Sequence, residues 1–257
     1  MASLKEVKGR IASVNNTRKI TSAMKMVASA KLHKAQAAIE SMLPYERRLH
    51  HILTDFMSNC TEVTSPFIVK REVKKVAVVV FASNTSLCGG FNANVIRHLV
   101  DLLAEYKPLG LENILVFPVG KKVADAVRKL GFRIEGDFQH MADKPSYQEA
   151  ADLAADLMKR FLHGDVDKVE LLYNHFKSTA SQILTRETYL PIDLNNEKKE
   201  EERTIDYILE PSAEELMQEM LPKVLRMKMF TVLLDSNAAE HAARTMAMQI
   251  ATDNANE

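Results

Sequence analysis

Residues 225–250 read LRMKMFTVLLDSNAAEHAARTMAMQI, and Leu225, Met229, Val232, Ser236, Ala239, Ala243, Met246 and Ile250 recur through them at alternating four- and three-residue steps. That period holds one side of an α-helix against a partner helix, and the Ser and Ala positions let two backbones approach closely. The segment opens with Ser212-Ala213-Glu214-Glu215 after Pro211, the spacing of a capping box. Pro222 is expected to kink or interrupt its first turns.

A partner of matching length lies at the other end of the chain. Ser3 and Glu6 have capping-box spacing, no Gly interrupts 11–59, and the first Pro is Pro44. Leu4, Val7, Ile11 and Val14 draw one stripe. The stripe is expected to change phase near Arg18 and Lys19, to resume through Ile20, Met24 and Val27, and to run on through Ala35, Ala38 and Met42. A helix of this length reaches roughly 80 Å at 1.5 Å per residue, so much of it must project from any compact body.

Between the two helices the pattern changes. KVAVVVF at 75–81 and NILVFPV at 113–119 are apolar runs of strand length, with further candidates at 132–138 and 168–177. Helical stretches at 92–106, 121–130 and 147–162 alternate with them. Such alternation predicts a mainly parallel sheet covered by helices. QILTRETYL at 182–190 alternates as an edge or antiparallel strand does. NNEKKEEER at 195–203 is a charge run expected in a solvated loop.

The fold class is therefore α/β: a Rossmann-like domain over 70–195, with N-terminal (1–60) and C-terminal (212–257) helices forming a long two-helix coiled coil. Because each helix joins the same domain at its inner end, the pair must run antiparallel.

Composition narrows the function. Thirty-four Lys and Arg balance 34 Asp and Glu, which argues against a general polyanion binder. Cys60 and Cys88 lack ligand or disulfide spacing, which points to a reducing compartment. No apolar run is long enough to span a bilayer, and the first residues lack the features of a secretory or import leader.

The turn Ser83-Asn84-Thr85-Ser86-Leu87-Cys88-Gly89-Gly90 sits between a strand and a helix, where α/β proteins bind phosphate. It matches neither dinucleotide nor P-loop spacing, and is read as a structural turn. Cys88 has no neighbouring base, and His50 and His51 diverge by about 100° on a helix of 3.6 residues per turn. No catalytic residue, metal site or cofactor is expected.

The first helix carries the informative asymmetry. Lys5, Lys8, Arg10, Arg18, Lys19, Lys25, Lys31 and Lys34 face Glu6 alone over that span. Ile20, Ala23, Met24, Met26, Val27 and Ala30 occupy more than one helix face, so a second, non-seam partner is expected, and an acidic one fits the charge.

Several segments resemble one family in its own order. Residues 10–31 (RIASVNNTRKITSAMKMVASAK) resemble the N-terminal helix of the F-type ATP synthase gamma subunit. Leu87-Cys88-Gly89-Gly90-Phe91-Asn92 resembles the segment after its first domain strand. Asp206-Tyr207-Ile208-Leu209-Glu210-Pro211 and Glu240-His241-Ala242-Ala243-Arg244-Thr245-Met246 resemble the approach to the C-terminal helix and the helix itself.

The resemblance implies a non-catalytic rotor shaft, entering a ring of alpha and beta subunits and resting on the epsilon subunit and the c-ring. It implies a peripheral place on the cytoplasmic face of a bacterial inner membrane. Lys8, Arg18, Lys19, Met24, Lys25 and Arg244 are the implied ring contacts, and Tyr207 and Glu210 the implied epsilon and c-ring contacts. Two departures stand out. Ser83-Asn84-Thr85-Ser86 replaces the family's Ser-Asp-Arg-Gly, and the chain stops at Glu257 before the family's Ile-Thr-x-Glu signature, so the tip of the shaft is expected to be missing. The alternatives are a nucleotide- or small-ligand-binding protein using the Gly89-Gly90 turn, and a coiled-coil tether.

Overall fold

The structure, a computed structural model, describes residues 3–59, 65–192 and 213–257. Strands β1 (Val76–Phe81), β2 (Ile114–Val119), β3 (Arg133–Ile134), β4 (Lys168–Ser178) and β5 (Ser181–Leu190) form one sheet in the order β3-β2-β1-β4-β5. The first four are parallel and β5 pairs antiparallel with β4, as the sequence pattern predicts. The expected strand at 132–138 shrinks to two residues: the chain turns at Gly136, where φ is +73°, into a short helix, α4 (Gln139–Asp143).

Helices α2 (Phe91–Tyr106) and α3 (Lys121–Leu130) cover one face, burying Val95, Leu99, Val123 and Val127 against Val76, Val78 and Val80. The opposite face receives α5 (Tyr147–His163) and the first half of α6 (Ala213–Asn254). Strands buried on both faces explain the continuous apolar runs in β1 and β2.

Helix α6 departs from expectation. It runs unbroken through Pro222, and its lower half is a layer of the domain. Met217, Leu221, Leu225, Met229, Val232 and Leu233 join the core formed by β1, β2, β4 and α5. The stripe that reads as a coiled-coil seam at Leu225, Met229 and Val232 thus faces the sheet. Each fully buried Leu or Met there contributes about 1.5–3 kcal/mol.

The partner helix α1 (Leu4–Asn59) packs on the far side of α6 and also runs through its proline, Pro44. Leu32 and Ala35 pack on Ala238 and Ala242; Thr21 Oγ1 lies 2.8 Å from Thr252 Oγ1; and Arg18 donates to Asn256 at 3.1 Å. Rising numbers on one helix meet falling numbers on the other, so the pair is antiparallel.

The expected phase change in α1 does not occur. Thr21, Ala28, Leu32 and Ala35 are buried, and together with Arg18 and Lys25 they continue the heptad of Leu4, Val7, Ile11 and Val14 without slipping. Small and polar residues on the seam hide its phase from a reading of apolar positions alone. Ile20 and Val27, taken as seam, are 61% and 59% exposed and lie on the outer face. At the helix start, the Glu6 carboxylate bonds Arg10 at 2.8 Å instead of completing a capping box with Ser3.

Gly120 closes the turn between β2 and α3 at φ +113°, and a Cβ there would lie 2.2 Å from the Ala82 carbonyl oxygen. Gly131 also has positive φ, +77°, but opens on free space. Gly120→Ala should therefore destabilise by about 3 kcal/mol or more and Gly131→Ala by about 1 kcal/mol. Denaturant unfolding checks the order; equal losses would contradict this geometry.

Candidate functional site

In an open α/β sheet the ligand crevice lies beyond the carboxyl ends of the strands where the connections diverge. Here that point is between β1, whose next helix lies on one face, and β4, whose preceding helix lies on the other. The loop that follows β1, residues 82–90, folds into it. Asn92 Oδ1 accepts from Ser83 N at 3.1 Å, and Asn92 Nδ2 reaches Cys88 Sγ at 3.1 Å. Asn84 ties three segments together: it accepts from Lys121 N at 2.8 Å and donates to the Gln139 carbonyl at 2.8 Å and the Asp143 carboxylate at 2.6 Å.

The upper half of α6 fills the remaining space. Cys88 and Phe91 bury against Ala239 and Ala243, and a Cβ on Gly89 would lie 3.9 Å from the Ala247 Cβ. Arg244 seals the edge: it donates to the Ser86 carbonyl, to Thr85 Oγ1 at 2.9 Å and to Glu240 at 2.6 Å. The crevice is a joint between domain and shaft. The glycine turn serves as that joint, and Gly89 supplies the left-handed φ of +59° that turns the loop onto the helix. Leu87 in the same turn holds φ +69° and is 60% exposed.

The residues singled out on α1 separate by face. Arg18 and Lys25 occupy seam positions and are half-buried, with Arg18 bonded to Asn256; Met24, also half-buried, flanks the seam. Lys8 and Lys19 are exposed. Ile20, Ala23, Val27 and Ala30 line the outer face with exposed Met26 beside them, which leaves an apolar stripe turned away from α6. Leu4, Val7, Ile11 and Val14 keep the seam phase but lie beyond the reach of α6 and are exposed. Arg244 is on α6, with its side chain turned inward onto the loop. Tyr207, Glu210 and Cys60 fall outside the described residues.

Among the described residues no other cluster offers chemistry. Glu170, 2% exposed on β4, is saturated by Lys168, Arg186 and Tyr106. Burial alone would raise its carboxyl, but hydrogen bonds from Arg186 and Lys168 hold it below its ordinary value. Among the described residues no group of His, Cys, Asp and Glu could hold a metal ion, and no helix is long and apolar enough to cross a membrane.

The sequence reading gave no role at the joint to the polar residues Asp235, Asn237, Glu240 and His241 on α6, or to the apolar Phe176 on β4. The signal was present as a cluster of polar side chains following the apolar run Val232 to Leu234 within one helix. His241 is buried, its Nδ1 has no hydrogen-bond partner, and burial followed by Lys31 and Arg244 pushes the imidazole down to about 4. The folded state therefore favours neutral imidazole, so the stability it contributes is lost as pH falls from its ordinary 6.5 towards 4. Glu240, raised by burial from its ordinary 4.5, acts with the opposite sign and loses its contribution as pH rises through its folded value. Thermal unfolding of the chain should lose about 3 kcal/mol to His241 across that acid window. His241→Gln should flatten the slope, and an unchanged slope would refute the assignment.

Comparison with known proteins follows the same lines. A family model described as ATP synthase matches residues 3–257. The ATP synthase gamma chain of Phocaeicola vulgatus is 81% identical over 259 residues, spanning all of this chain and 90% of its own length. That of Bacteroides thetaiotaomicron is 61% identical over 268 residues, again covering all of this chain and 90% of the relative. Among solved structures, the central stalk and c-ring of Tetrahymena thermophila mitochondrial ATP synthase aligns with TM-score 0.63 at 22% identity, over 93% of this chain and 100% of that one. The rotor of Euglena gracilis mitochondrial ATP synthase aligns with TM-score 0.61 at 18% identity, over 97% and 90%. These two likenesses are of fold. With a full-length family match and relatives of this identity, the chain belongs to the ATP synthase gamma-chain family.

Proposed function

We propose that this central-stalk subunit works as a non-catalytic shaft that carries torque between the c-ring and a ring of alpha and beta subunits. The observation that carries this reading is the exposed upper end of α1. It combines an outward apolar stripe, Ile20, Ala23, Val27 and Ala30, with exposed Lys8 and Lys19. An apolar stripe on a projecting, basic helix fits a surrounding sleeve with acidic loops. Lys8, Arg18, Lys19, Met24 and Lys25 are assigned to that sleeve. Arg244 acts on it through the loop it holds, whose exposed Leu87 stands at the edge of the shaft.

Tyr207 and Glu210 are assigned to the epsilon and c-ring side on family resemblance. The same resemblance supports a peripheral position on the cytoplasmic face of the inner membrane. A nucleotide-binding reading is disfavoured because α6 fills the crevice it would need. A tether reading is disfavoured because the seam is paired within one chain from Arg18 to Ala35.

Mixing the chain with alpha and beta subunits should give a defined complex with ATPase activity. Reversing Arg18 and Lys19 to Glu should weaken assembly about tenfold at low salt, and the gap should narrow as salt screens the charges. Val27→Asp should reduce assembly while leaving the stability of the isolated chain within about 0.5 kcal/mol, since the site is open to water. Assembly indifferent to all three changes would rule out this surface as the contact.

A further inference from the structure

The two helices of the shaft are attached to the domain in different ways. Helix α6 is held by directed bonds along its length. The Leu225 carbonyl accepts from Tyr189 OH at 2.8 Å on β5, and Asn237 donates to the Ala142 carbonyl at 2.8 Å on α4. Asp235 takes two groups from the end of β4: Phe176 N at 2.8 Å on one oxygen and His175 Nδ1 at 2.6 Å on the other. Arg244 holds the glycine loop. These ties extend over roughly 28 Å of helix at 1.5 Å per residue and reach four separate parts of the domain.

Helix α1 has a different attachment. Beside the domain the described part of its seam runs through Ala28, Leu32, Ala35 and Ile39 against small residues, Ala238 and Ala242 among them. Among the described side chains of α1, its polar ties to α6, Thr21 to Thr252 and Arg18 to Asn256, lie above the domain. Apolar seams resist separation but permit small sliding of packed helices, whereas hydrogen bonds fix position along the axis.

The end of β4 supplies the lever. Pairing of β4 with β1 ends at Leu172, while its pairing with β5 runs on to Ser178, so the hairpin rises past the rest of the sheet. At that height Phe176 packs both on the cluster of Leu32, Ala35, Ala238 and Ala242 and on the cluster of Cys88, Phe91, Ala239 and Ala243. Asp235 fixes this ring by capturing its backbone N–H.

We infer that α6 is the torque-bearing helix, locked to the domain by Asp235 at the β4–β5 hairpin, and that α1 follows α6 as a splint. Asp235 is a positioning residue that acts through Phe176. The inference rests on the rotor function above and adds which helix, and which side chain, transmits the load.

The test uses the intact complex carrying variants of this chain in inverted membrane vesicles. ATP hydrolysis is measured beside ATP-driven ion pumping, followed with proton- and sodium-sensitive dyes. Asp235→Ala should keep hydrolysis within about twofold while the ratio of pumping to hydrolysis falls at least threefold. Asp235→Asn, which retains an acceptor for Phe176 N, should restore most of the ratio, and Thr21→Val should leave it unchanged. If Asp235→Ala does not assemble, Asn237→Ala, which cuts the tie to α4, is read in the same way. An unchanged ratio, or an equal loss with Thr21→Val, would overturn the inference. Failure of the wild-type chain to support either activity would instead count against the rotor reading itself.

Discussion

A helix with apolar residues on two opposite faces must be covered on both, and that requirement governs this molecule. Between Met217 and Met248, α6 carries apolar or small residues on both its broad faces, and no single partner could bury them. The sheet and α5 take one face through Met217, Leu221, Leu225 and Met229. Helix α1 takes the other, and the glycine loop closes the gap at Ala239 and Ala243. The domain and the shaft therefore share a single helix, and neither is complete without it.

The same constraint separates this α/β domain from its ligand-binding counterparts. Its sheet order and connections create the crevice that elsewhere receives a phosphate or nucleotide. Here Phe91, Cys88 and the alanines of α6 occupy that volume, and Arg244 satisfies the Ser86 carbonyl at its rim. Asn84 and Thr85, where the family more often has a charged pair, serve this joint as neutral side chains: Asn84 bonds the Gln139 carbonyl, Lys121 N and the Asp143 carboxylate, and Thr85 accepts from Arg244. A potential binding site has become a mechanical coupling.

The sheet and its helices were legible in the sequence because strands buried on both faces and amphipathic helices leave distinct periods, as in 76–81 and 147–163. The seam of α1 was harder to read. Arg18, Thr21 and Lys25 hold seam positions, yet apolarity alone moves the stripe to Ile20, Met24 and Val27. The faces of α6 were harder still: the heptad positions Leu225 to Val232 face the sheet, Ala239 and Ala243 face the glycine loop, and α1 packs instead on Ala238 and Ala242. The ties made by Asp235, Asn237 and Arg244 depend on which loop meets which turn, and periodicity carries no information on that. Their trace was a group of polar residues in a stretch of α6, 224–249, that holds no exposed residue.

Everything above requires that the two ends of one chain lie side by side in the observed register. Oxidative cross-linking of Thr21→Cys with Thr252→Cys, with Cys60 and Cys88 replaced by serine, tests this directly, because the two hydroxyls are 2.8 Å apart. The account predicts a rapid, quantitative bond within a single chain, which stays monomeric and loses only the two thiol hydrogens to the oxidant. Bonds between chains, or none, would contradict it.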